Sequence, residues 1–368
     1  MPSVYIIGAG PGAPDLITVR GYRCLQQADV VIFDHLVHPE LLDLAPAHAE
    51  RIDVGSAAPE DRDQDAICFL LAEKAREGKT VARLKWGDPF LFDQAGEEAL
   101  FLHEQGIHYE VVPGVPHAIG ATAYAGIPIT YPGGGDTVTF VRGHEDEGRE
   151  KARIDWNALA SLGGTIVSYA GPQQLPKMLN ALIDHGRSPA EPAAIIRHGT
   201  LSSQRTVTGT LRELADHVKE EPAGAGLLIV GKVVNFREHL RWFDARPLFG
   251  RRALVMHSKD QADEVADLLR SHGADVILDT DTRADIYRLL LDRKIDLVTF
   301  TSASAVLNFA ANFGADQVSD LLAHTIVAVQ GPAAADAATR ANIVPAVQHP
   351  AGSLPAFADA IVAKFRGN

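Results

Sequence analysis

The chain has 368 residues, 46% of them hydrophobic, and a formal net charge of −13. This length predicts two or three domains. The acidic balance offers no basic stripe that could neutralise phosphates, so we expect no nucleic-acid partner. No apolar stretch reaches the roughly 20 residues that span a bilayer, so we expect no membrane segment.

Few features of the sequence suggest disulfides, targeting or metal. Cys24 and Cys68 fit neither a disulfide framework nor a metal-ligand spacing. The first apolar run, residues 4–7, is too short for a signal peptide. His35 and His38 have a spacing that could bind a metal, but no third ligand lies nearby, so no metal site is expected. These features predict a cytoplasmic protein with reduced thiols.

The first third of the chain alternates strands with helices. A helical pattern ends at Leu25, and two more helices are predicted at 64–77 and 95–105. Short apolar runs predict strands at 4–7, 28–34, 80–84 and 109–112. This alternation is typical of a mostly parallel sheet, which we assign to a first lobe, residues 1–113.

The pattern changes after about Pro128. Strands are predicted at 137–141, 164–169, 193–196, 205–210 and 227–230. Hairpin-like segments among them indicate a mixed sheet in a second lobe, residues 114–243. We expect the two lobes to form one catalytic unit, residues 1–243.

A further domain is predicted beyond a short linker. Residues 244–250 combine proline, glycine and charge, which interrupts both periodicities. Alternation then resumes through residues 251–368, with a helix near 261–272 and strands at 252–256, 275–278, 297–300 and 326–329. This predicts a small doubly wound α/β domain.

The loop after the first strand, residues 8–12, is rich in glycine, which lets a ligand approach the backbone closely. Gly8 and Gly10, with Asp34 after the second strand, nearly fit a dinucleotide-binding fingerprint. Pro11 and Pro14 lack the N–H donors that a pyrophosphate needs, which argues against that interpretation. A nicotinamide-dependent oxidoreductase is therefore the weaker alternative.

Motifs in unbroken order over about residues 3 to 250 resemble the tetrapyrrole methylase family, in particular its uroporphyrinogen-III C-methyltransferase branch. The segments that carry the resemblance are Gly8-Ala9-Gly10-Pro11-Gly12, Asp34-His35-Leu36-Val37, Arg83-Leu84-Lys85-Trp86-Gly87-Asp88-Pro89-Phe90, Gly96-Glu97-Glu98, Glu110-Val111-Val112-Pro113-Gly114 and Ala123-Tyr124-Ala125-Gly126-Ile127-Pro128.

This resemblance implies a two-lobed methylase fold with S-adenosylmethionine bound in the cleft between the lobes. It also implies transfer of methyl groups to pyrrole carbons of a tetrapyrrole, a small-molecule substrate. Two transfers to uroporphyrinogen III would give precorrin-2, on the route to sirohaem and cobalamin. A homodimer is implied as well. The protein would act mainly by positioning the reactants, and a base or water would take up a proton.

The resemblance also assigns site residues, one by one. The cofactor contacts would be Pro11, Trp86, Gly87, Asp88, Pro89, Pro116, His117, Ala170 and Gly226. Asp34 and Glu97 would be the carboxylates nearest the substrate, and they are the predicted catalytic residues. Asp88 could instead cap the turn that follows it. Candidate cations for the substrate's carboxylates are Arg20, Arg23, Lys85 and Arg142.

Several residues depart from the family pattern. Trp86 stands where a glycine is usual, and Pro116 and His117 stand where the family has a hydroxyl residue and a small neighbour. Gln94 and Pro132 replace cationic residues, and the acidic stretch 56–61 replaces a basic one. These departures favour an alternative: a degenerate, non-catalytic tetrapyrrole- or cofactor-binding paralogue with a regulatory role.

Residues 251–368 resemble half of a uroporphyrinogen-III synthase, through segments 297–306 and 327–332. Thr301 and Ser302 could donate to carboxylates at a helix start, or Ser302 could simply cap that helix. That synthase needs two lobes, and alanines 333–335 replace the threonine expected after Gly-Pro. No synthase activity is therefore expected from this domain alone.

Overall fold

The computed structural model describes residues 3–55, 64–134, 137–143, 154–220, 225–256, 259–279, 285–314 and 317–367. The acidic stretch 56–61 lies outside the described residues. The chain divides into two compact units, Met1–Arg241 and Trp242–Asn368. Among the described helices, none is long and apolar enough to cross a membrane.

The first lobe is built on a fully parallel sheet in the order β3-β2-β4-β1-β5. Its strands are β1 (Val4–Gly8), β2 (Val30–Phe33), β3 (Glu50–Asp53), β4 (Val81–Lys85) and β5 (Tyr109–Val112). The sequence does not predict β3, because this edge strand is largely polar and lacks an apolar run.

Helices cover both faces of this sheet, as a buried parallel sheet requires. They are α1 (Val19–Leu25), α2 (Pro39–Leu42), α3 (Gln64–Arg76) and α4 (Ala95–Glu104), with a 3₁₀ turn at Pro14–Leu16. The helices α1 and α2 pack on one face, and α3 and α4 pack on the other. The Thr18 hydroxyl begins α1 by accepting a hydrogen bond from the Gly21 N–H at 3.1 Å.

The second lobe contains a mixed sheet in the order β6-β7-β10-β8-β9, in which only β6 and β7 are parallel. Its strands are β6 (Val138–Arg142), β7 (Thr165–Ala170), β8 (Pro192–Arg197), β9 (Arg205–Thr210) and β10 (Gly226–Val230). Helix α5 (His117–Tyr124) packs on this sheet through its small residues Ala118, Ala121 and Ala125.

The opposite face of that sheet is covered by three helices. The remaining helices of the lobe are α6 (Trp156–Ser161), α7 (Gln174–Asp184), α8 (Leu211–Glu220) and α9 (Arg237–Leu240), the last preceded by a 3₁₀ helix at Lys232–Phe236. Of these, α6, α7 and α8 bury their apolar residues against the sheet. The second lobe is thus a sheet between two helical layers.

The second unit contains a parallel sheet in the order β12-β11-β13-β14-β15, the order of a doubly wound fold. Its strands are β11 (Arg252–Met256), β12 (Asp275–Leu278), β13 (Leu297–Phe300), β14 (Ile326–Gln330) and β15 (Val347–His349). Its helices are α10 (Lys259–Ser271), α11 (Ile286–Leu291), α12 (Ala303–Phe313), α13 (Val318–Leu321), α14 (Pro332–Arg340) and α15 (Leu354–Arg366). The predicted fold class is confirmed.

The segment 244–250, predicted to be a linker, packs within the second unit. Leu248 is fully buried in the core of that unit, and its N–H donates to the His272 carbonyl at 2.9 Å. The guanidinium of Arg246 lies over the ring of Trp242, 4.7 Å from its centroid. Apolar anchors within a Pro- and Gly-rich stretch explain why the periodicity alone suggested a linker.

We predict that Phe309→Ala destabilises the second unit by about 3–5 kcal/mol, because the ring is buried in the core of that unit. It packs edge-on against Phe300, with ring centroids 5.4 Å apart. Urea denaturation of the full chain checks this prediction. Leu307→Ala on the same helix is the control, since Leu307 is 50% exposed and should change the free energy by no more than about 0.5 kcal/mol. Equal effects of the two changes would contradict the packing.

Candidate functional site

Three loops meet backbone to backbone at the carboxyl ends of β1, β4 and β5. A Cβ added at Gly8 would lie 2.5 Å from the Gly114 Cα and 2.7 Å from the Gly87 carbonyl oxygen. A Cβ at Gly114 would lie 2.2 Å from that same oxygen. No side chain fits such spacing, so only glycine lets the three loops approach. Ligands of open α/β sheets bind at this edge.

Hydrogen bonds fix these loops to one another. The Gly10 N–H donates to the Gly87 carbonyl at 3.2 Å, and the Gly87 N–H donates back to Gly10 at 2.9 Å. Asp88 accepts from the Phe90 N–H at 2.9 Å through Oδ1 and from the Gly114 N–H at 3.0 Å through Oδ2. Both oxygens of Asp88 are therefore used by the backbone, which supports the capping interpretation of this predicted cofactor contact.

Two aromatic rings stand beside these loops. His117 begins α5, and its ring lies against that of Trp86, with centroids 4.4 Å apart. The His117 Nδ1 is 2.9 Å from the Pro11 carbonyl oxygen, so this nitrogen carries the proton and donates. Burial lowers the pKa of His117 to about 4, although the bond to Pro11 works in the opposite direction. The ring is therefore neutral near pH 7, with Nε2 as its acceptor.

The second lobe holds the first loop from the other side. The Thr200 hydroxyl accepts the Ala13 N–H at 2.9 Å, a contact that no local pattern around Thr200 predicts. Its own N–H donates to the Gln204 side chain at 2.9 Å. Thr200 has a φ of 72°, which is rare for a β-branched residue and is held here by these two bonds. The Tyr169 hydroxyl accepts the Ala118 N–H at 3.1 Å and so joins β7 to the start of α5.

The predicted cofactor contacts lie on neighbouring elements. Pro89 is buried just after β4, and Pro116 immediately precedes α5. Ala170 ends β7 and pairs with Gly226 at the start of β10. The side chain of Ala170 is buried in the core of the second lobe, so it offers a ligand only its backbone. Pro11 packs on α5, where a Cβ at Gly120 would lie 2.4 Å from the Pro11 ring.

A buried ion cluster lies at the carboxyl ends of β2 and β4. Arg83, whose side chain is 1% exposed, pairs with Asp34 at 2.5 Å and with Glu98 at 3.1 Å. The Lys85 ammonium is 2.7 Å from Asp93, 3.0 Å from Glu98 and 3.9 Å from Asp34. Arg83 and Lys85 are two residues apart on one strand and therefore face the same side.

The cluster shifts the protonation of its members. Burial alone would raise the pKa of Glu98, but Arg83 and Lys85 outweigh it and lower that pKa. Burial raises the pKa of Asp93 despite the attraction of Lys85. Burial on its own would lower the pKa of Arg83, but the carboxylates of Glu98 and Asp34 outweigh it and raise that pKa. The cluster therefore keeps Glu98 ionised, with two cations facing Asp34.

The two predicted catalytic carboxylates have different surroundings. Asp34 is 26% exposed and is held by Arg83. Glu97 is exposed in the first turn of α4, and the carboxylate that joins the Asp34 cluster is its neighbour, Glu98. Neither Arg83 nor Glu98 is among the site residues predicted from the sequence. The sequence pattern that could have indicated this cluster is the pair of cations in the otherwise apolar strand β4, because buried charges need counter-charges.

The candidate cations are mostly engaged elsewhere. Arg20 pairs with Glu110 at 2.6 Å, and Lys85 belongs to the buried cluster. Arg23 is exposed on α1, and Arg142 is half-buried at the end of β6.

His38 caps α2 by accepting the Glu40 N–H at 3.3 Å. In the part of the chain that the structure describes, no group of three or more acidic, histidine or cysteine side chains is placed to hold a metal ion.

In the second unit, the Ser302 hydroxyl accepts the Ala305 N–H at 3.2 Å, which is the simple capping role. Thr301, Gln330 and Ser353 line a cavity of about 420 Å³ beyond the strand ends. The alanines 333–335 lie within α14 and bring no hydroxyl to this edge.

Comparison with known protein families agrees with this geometry. Residues 3–215 match the family model of the tetrapyrrole (corrin/porphyrin) methylases. The chain belongs to this family of methyltransferases. Residues 242–356 match a second model, that of uroporphyrinogen-III synthase. Both predicted resemblances are confirmed at the family level.

Individual relatives of this methylase carry related names. It is 40% identical over 276 residues to the uroporphyrinogen-III C-methyltransferase of Bacillus subtilis, covering 74% of this chain and 57% of that one. It is 48% identical over 246 residues to a sirohaem synthase of Chromobacterium violaceum, covering 66% and 51%. The chain thus spans about half the length of the curated relatives it matches.

Solved structures of the family superpose on the methylase unit. The uroporphyrin-III C-methyltransferase of Thermus thermophilus, in complex with S-adenosylhomocysteine, is 36% identical with a TM-score of 0.54, covering 63% of this chain and 98% of that one. A cobalt precorrin-4 methyltransferase is 29% identical with a TM-score of 0.56, covering 63% and 95%. The predicted two-lobed architecture is that of these enzymes.

We predict that Glu98→Gln destabilises this methylase at pH 7 by about 3–5 kcal/mol, because it leaves Arg83 and Lys85 short of a buried counter-charge. The pKa of Glu98 is lower in the folded protein than in the unfolded chain. The ionised carboxylate therefore stabilises the fold above the unfolded-state pKa, and this stabilisation is lost as pH falls through the folded-state pKa. The difference in unfolding free energy between wild type and Glu98→Gln should therefore narrow below about pH 4.5.

Denaturant titrations across pH 3.5–7 measure this difference. The matched control is Glu97→Gln, one residue away and exposed, which should change stability by no more than about 0.5 kcal/mol. A gap between wild type and Glu98→Gln that stayed constant with pH would contradict the role assigned to Glu98.

Proposed function

We propose that this protein is an S-adenosylmethionine-dependent tetrapyrrole C-methyltransferase that converts uroporphyrinogen III to precorrin-2. The carrying observation is the meeting of three glycine loops at the carboxyl ends of β1, β4 and β5, with Thr200 of the second lobe bonded to the first of them. The names of the relatives that share 36–48% identity point to the same reaction. Uroporphyrinogen III or uroporphyrin III stands in two of these names, which supports a substrate of that class.

The residues at this edge fit an S-adenosyl ligand. Gly8 and Gly114 let the three loops pack against one another, whereas a Cβ at Gly87 would lie 3.5 Å from its nearest neighbour, the His117 backbone nitrogen, so a ligand could approach the backbone there. The buried, neutral His117 would add no positive charge to a cleft that held a cationic sulfonium. S-adenosylmethionine, when bound, supplies the methyl group as an electrophile whose leaving group is a neutral thioether. The protein itself then has to align two molecules and accept one proton.

Asp34 is the carboxylate that we assign to the proton. It stands at the carboxyl end of β2, and Arg83 fixes its orientation at 2.5 Å. A new carbon–carbon bond to the pyrrole leaves a positive charge on the ring system, and loss of a proton to Asp34 neutralises it. Glu97, exposed on α4, would contact the substrate from the rim.

We propose no synthase activity for the second unit, because this unit provides a single lobe.

The domain boundaries and the assembly state follow the same proposal. We assign methyl transfer to the lobes 1–113 and 114–243, consistent with the packing of α5 on the second sheet. A homodimer in the cytoplasm is the assembly that the family resemblance implies. Light scattering of the purified protein measures the assembly state directly.

We predict micromolar binding of S-adenosylhomocysteine to the purified protein and no binding of NAD, measured by isothermal titration calorimetry. Pro11 and Pro14 lack the N–H donors that the pyrophosphate of a dinucleotide needs, which argues against NAD binding. Absence of S-adenosylhomocysteine binding would favour the degenerate paralogue, whose support lies in Trp86, Gln94 and Pro132. Binding of NAD instead would favour an oxidoreductase.

We predict that Asp34→Asn lowers kcat for anaerobic methylation of uroporphyrinogen III by about 10²-fold or more, since the proton acceptor is lost. The affinity for S-adenosylhomocysteine should hardly change, because the carboxylate acts on the substrate. Asp65→Asn, exposed in the first turn of α3, is the control and should keep wild-type kcat. Undiminished kcat in Asp34→Asn would remove Asp34 from the mechanism.

A further inference from the structure

Two departures from the family pattern touch each other in the folded protein. Trp86 follows β4, and His117 begins α5, so about 30 residues separate them in the chain. Their rings lie 4.4 Å apart with an interplanar angle of 36°. Both are positions at which the sequence departs from the pattern that the family resemblance implies, a glycine for Trp86 and a small residue for His117. The two bulky rings meet at a single point in space.

The position of the His117 ring is fixed from three directions. Its Nδ1 donates to the Pro11 carbonyl at 2.9 Å, and Trp86 covers one face. On the side of the second lobe, a Cβ added at Gly199 would lie 3.2 Å from the His117 Cε1. The ring therefore connects the loop after β1, the loop after β4 and the loop that carries Thr200.

Each ring depends on the other for its place. Without Trp86, one face of the imidazole loses its support, and the geometry of the bond to Pro11 relaxes. Without His117, the indole loses this ring contact, and the Pro11 carbonyl loses the imidazole donor. Pro11 follows Gly10, whose backbone is hydrogen-bonded to Gly87. Loss of either ring would therefore affect the position of the same loop, the one after β1.

We propose that Trp86 and His117 act as one coupled positioning pair that holds the first glycine loop in place and sets the affinity of the cleft for its S-adenosyl ligand. This inference rests on the proposed function for the identity of the ligand. It does not rest on that function for the coupling of the two rings, which is a property of the ligand-free protein.

The test is a double-mutant cycle on the full chain with S-adenosylhomocysteine, measured by calorimetry. Trp86→Gly and His117→Ser, which restore small residues, should each weaken binding about tenfold or more. If the two rings acted independently, the loss of affinity in the double variant would equal the product of the two single losses. We expect the double variant to bind at least about fivefold more tightly than that, because the first substitution already breaks the contact that the second would break.

Two further variants separate the ring from its hydrogen bond. His117→Phe keeps a ring against Trp86 but cannot donate to Pro11, whereas His117→Asn keeps a donor but loses the ring. Both should bind more weakly than wild type if the pair works as a unit. His103→Ser, on the exposed end of α4, is the matched control and should bind like wild type.

Hydrogen exchange of the ligand-free protein provides a readout independent of binding. Exchange of the amides in residues 8–13 should speed up in both single variants, while those of the second unit stay unchanged. Strictly multiplicative binding effects, tighter binding in a single variant, or unchanged exchange in this loop would each overturn the pairing. If wild type does not bind S-adenosylhomocysteine, the proposed function fails, and exchange still decides whether the pair holds the loop.

Discussion

The contact between three bare backbones is the constraint on which the rest of this methylase depends. Gly8 and Gly114 bring the ends of β1 and β5 against each other and against the Gly87 carbonyl after β4, closer than any side chain allows. This contact requires the central strand order β4-β1-β5, which places the three loops side by side. Asp88, Thr200 and His117 each form a hydrogen bond to the backbone of one of these loops and so hold the loops in place.

The buried charges form a second level of organisation. Arg83 and Lys85 lie on a strand whose neighbours are apolar, and a charge there is tolerated only because three carboxylates surround it. The arrangement aims Asp34 at the rim of the sheet and fixes α4 against β4 through Glu98. Asp34, the proton acceptor that we propose, and the packing of α4 therefore share Arg83 as a partner, so loss of Arg83 would disturb both.

Much of the fold followed from local pattern. The strands β1, β10 and β13 agree closely with their apolar runs, since a buried strand must be apolar wherever it forms. The edge strands β3 and β15 escaped prediction because edges carry polar residues and few contacts. The segment 244–250 resembled a linker because proline and glycine conceal Leu248, which only tertiary packing buries.

The sequence by itself determined the order of motifs, the glycine positions and the family, because these depend on residue type along the chain. It also indicated Asp34 and the loop residues of the candidate site. Only the tertiary structure decided that Glu98, not Glu97, joins Asp34, that Thr200 reaches across to Ala13, and that Trp86 meets His117. The reason is physical: such contacts join residues distant in sequence, and their partners are set by how strands and lobes pack.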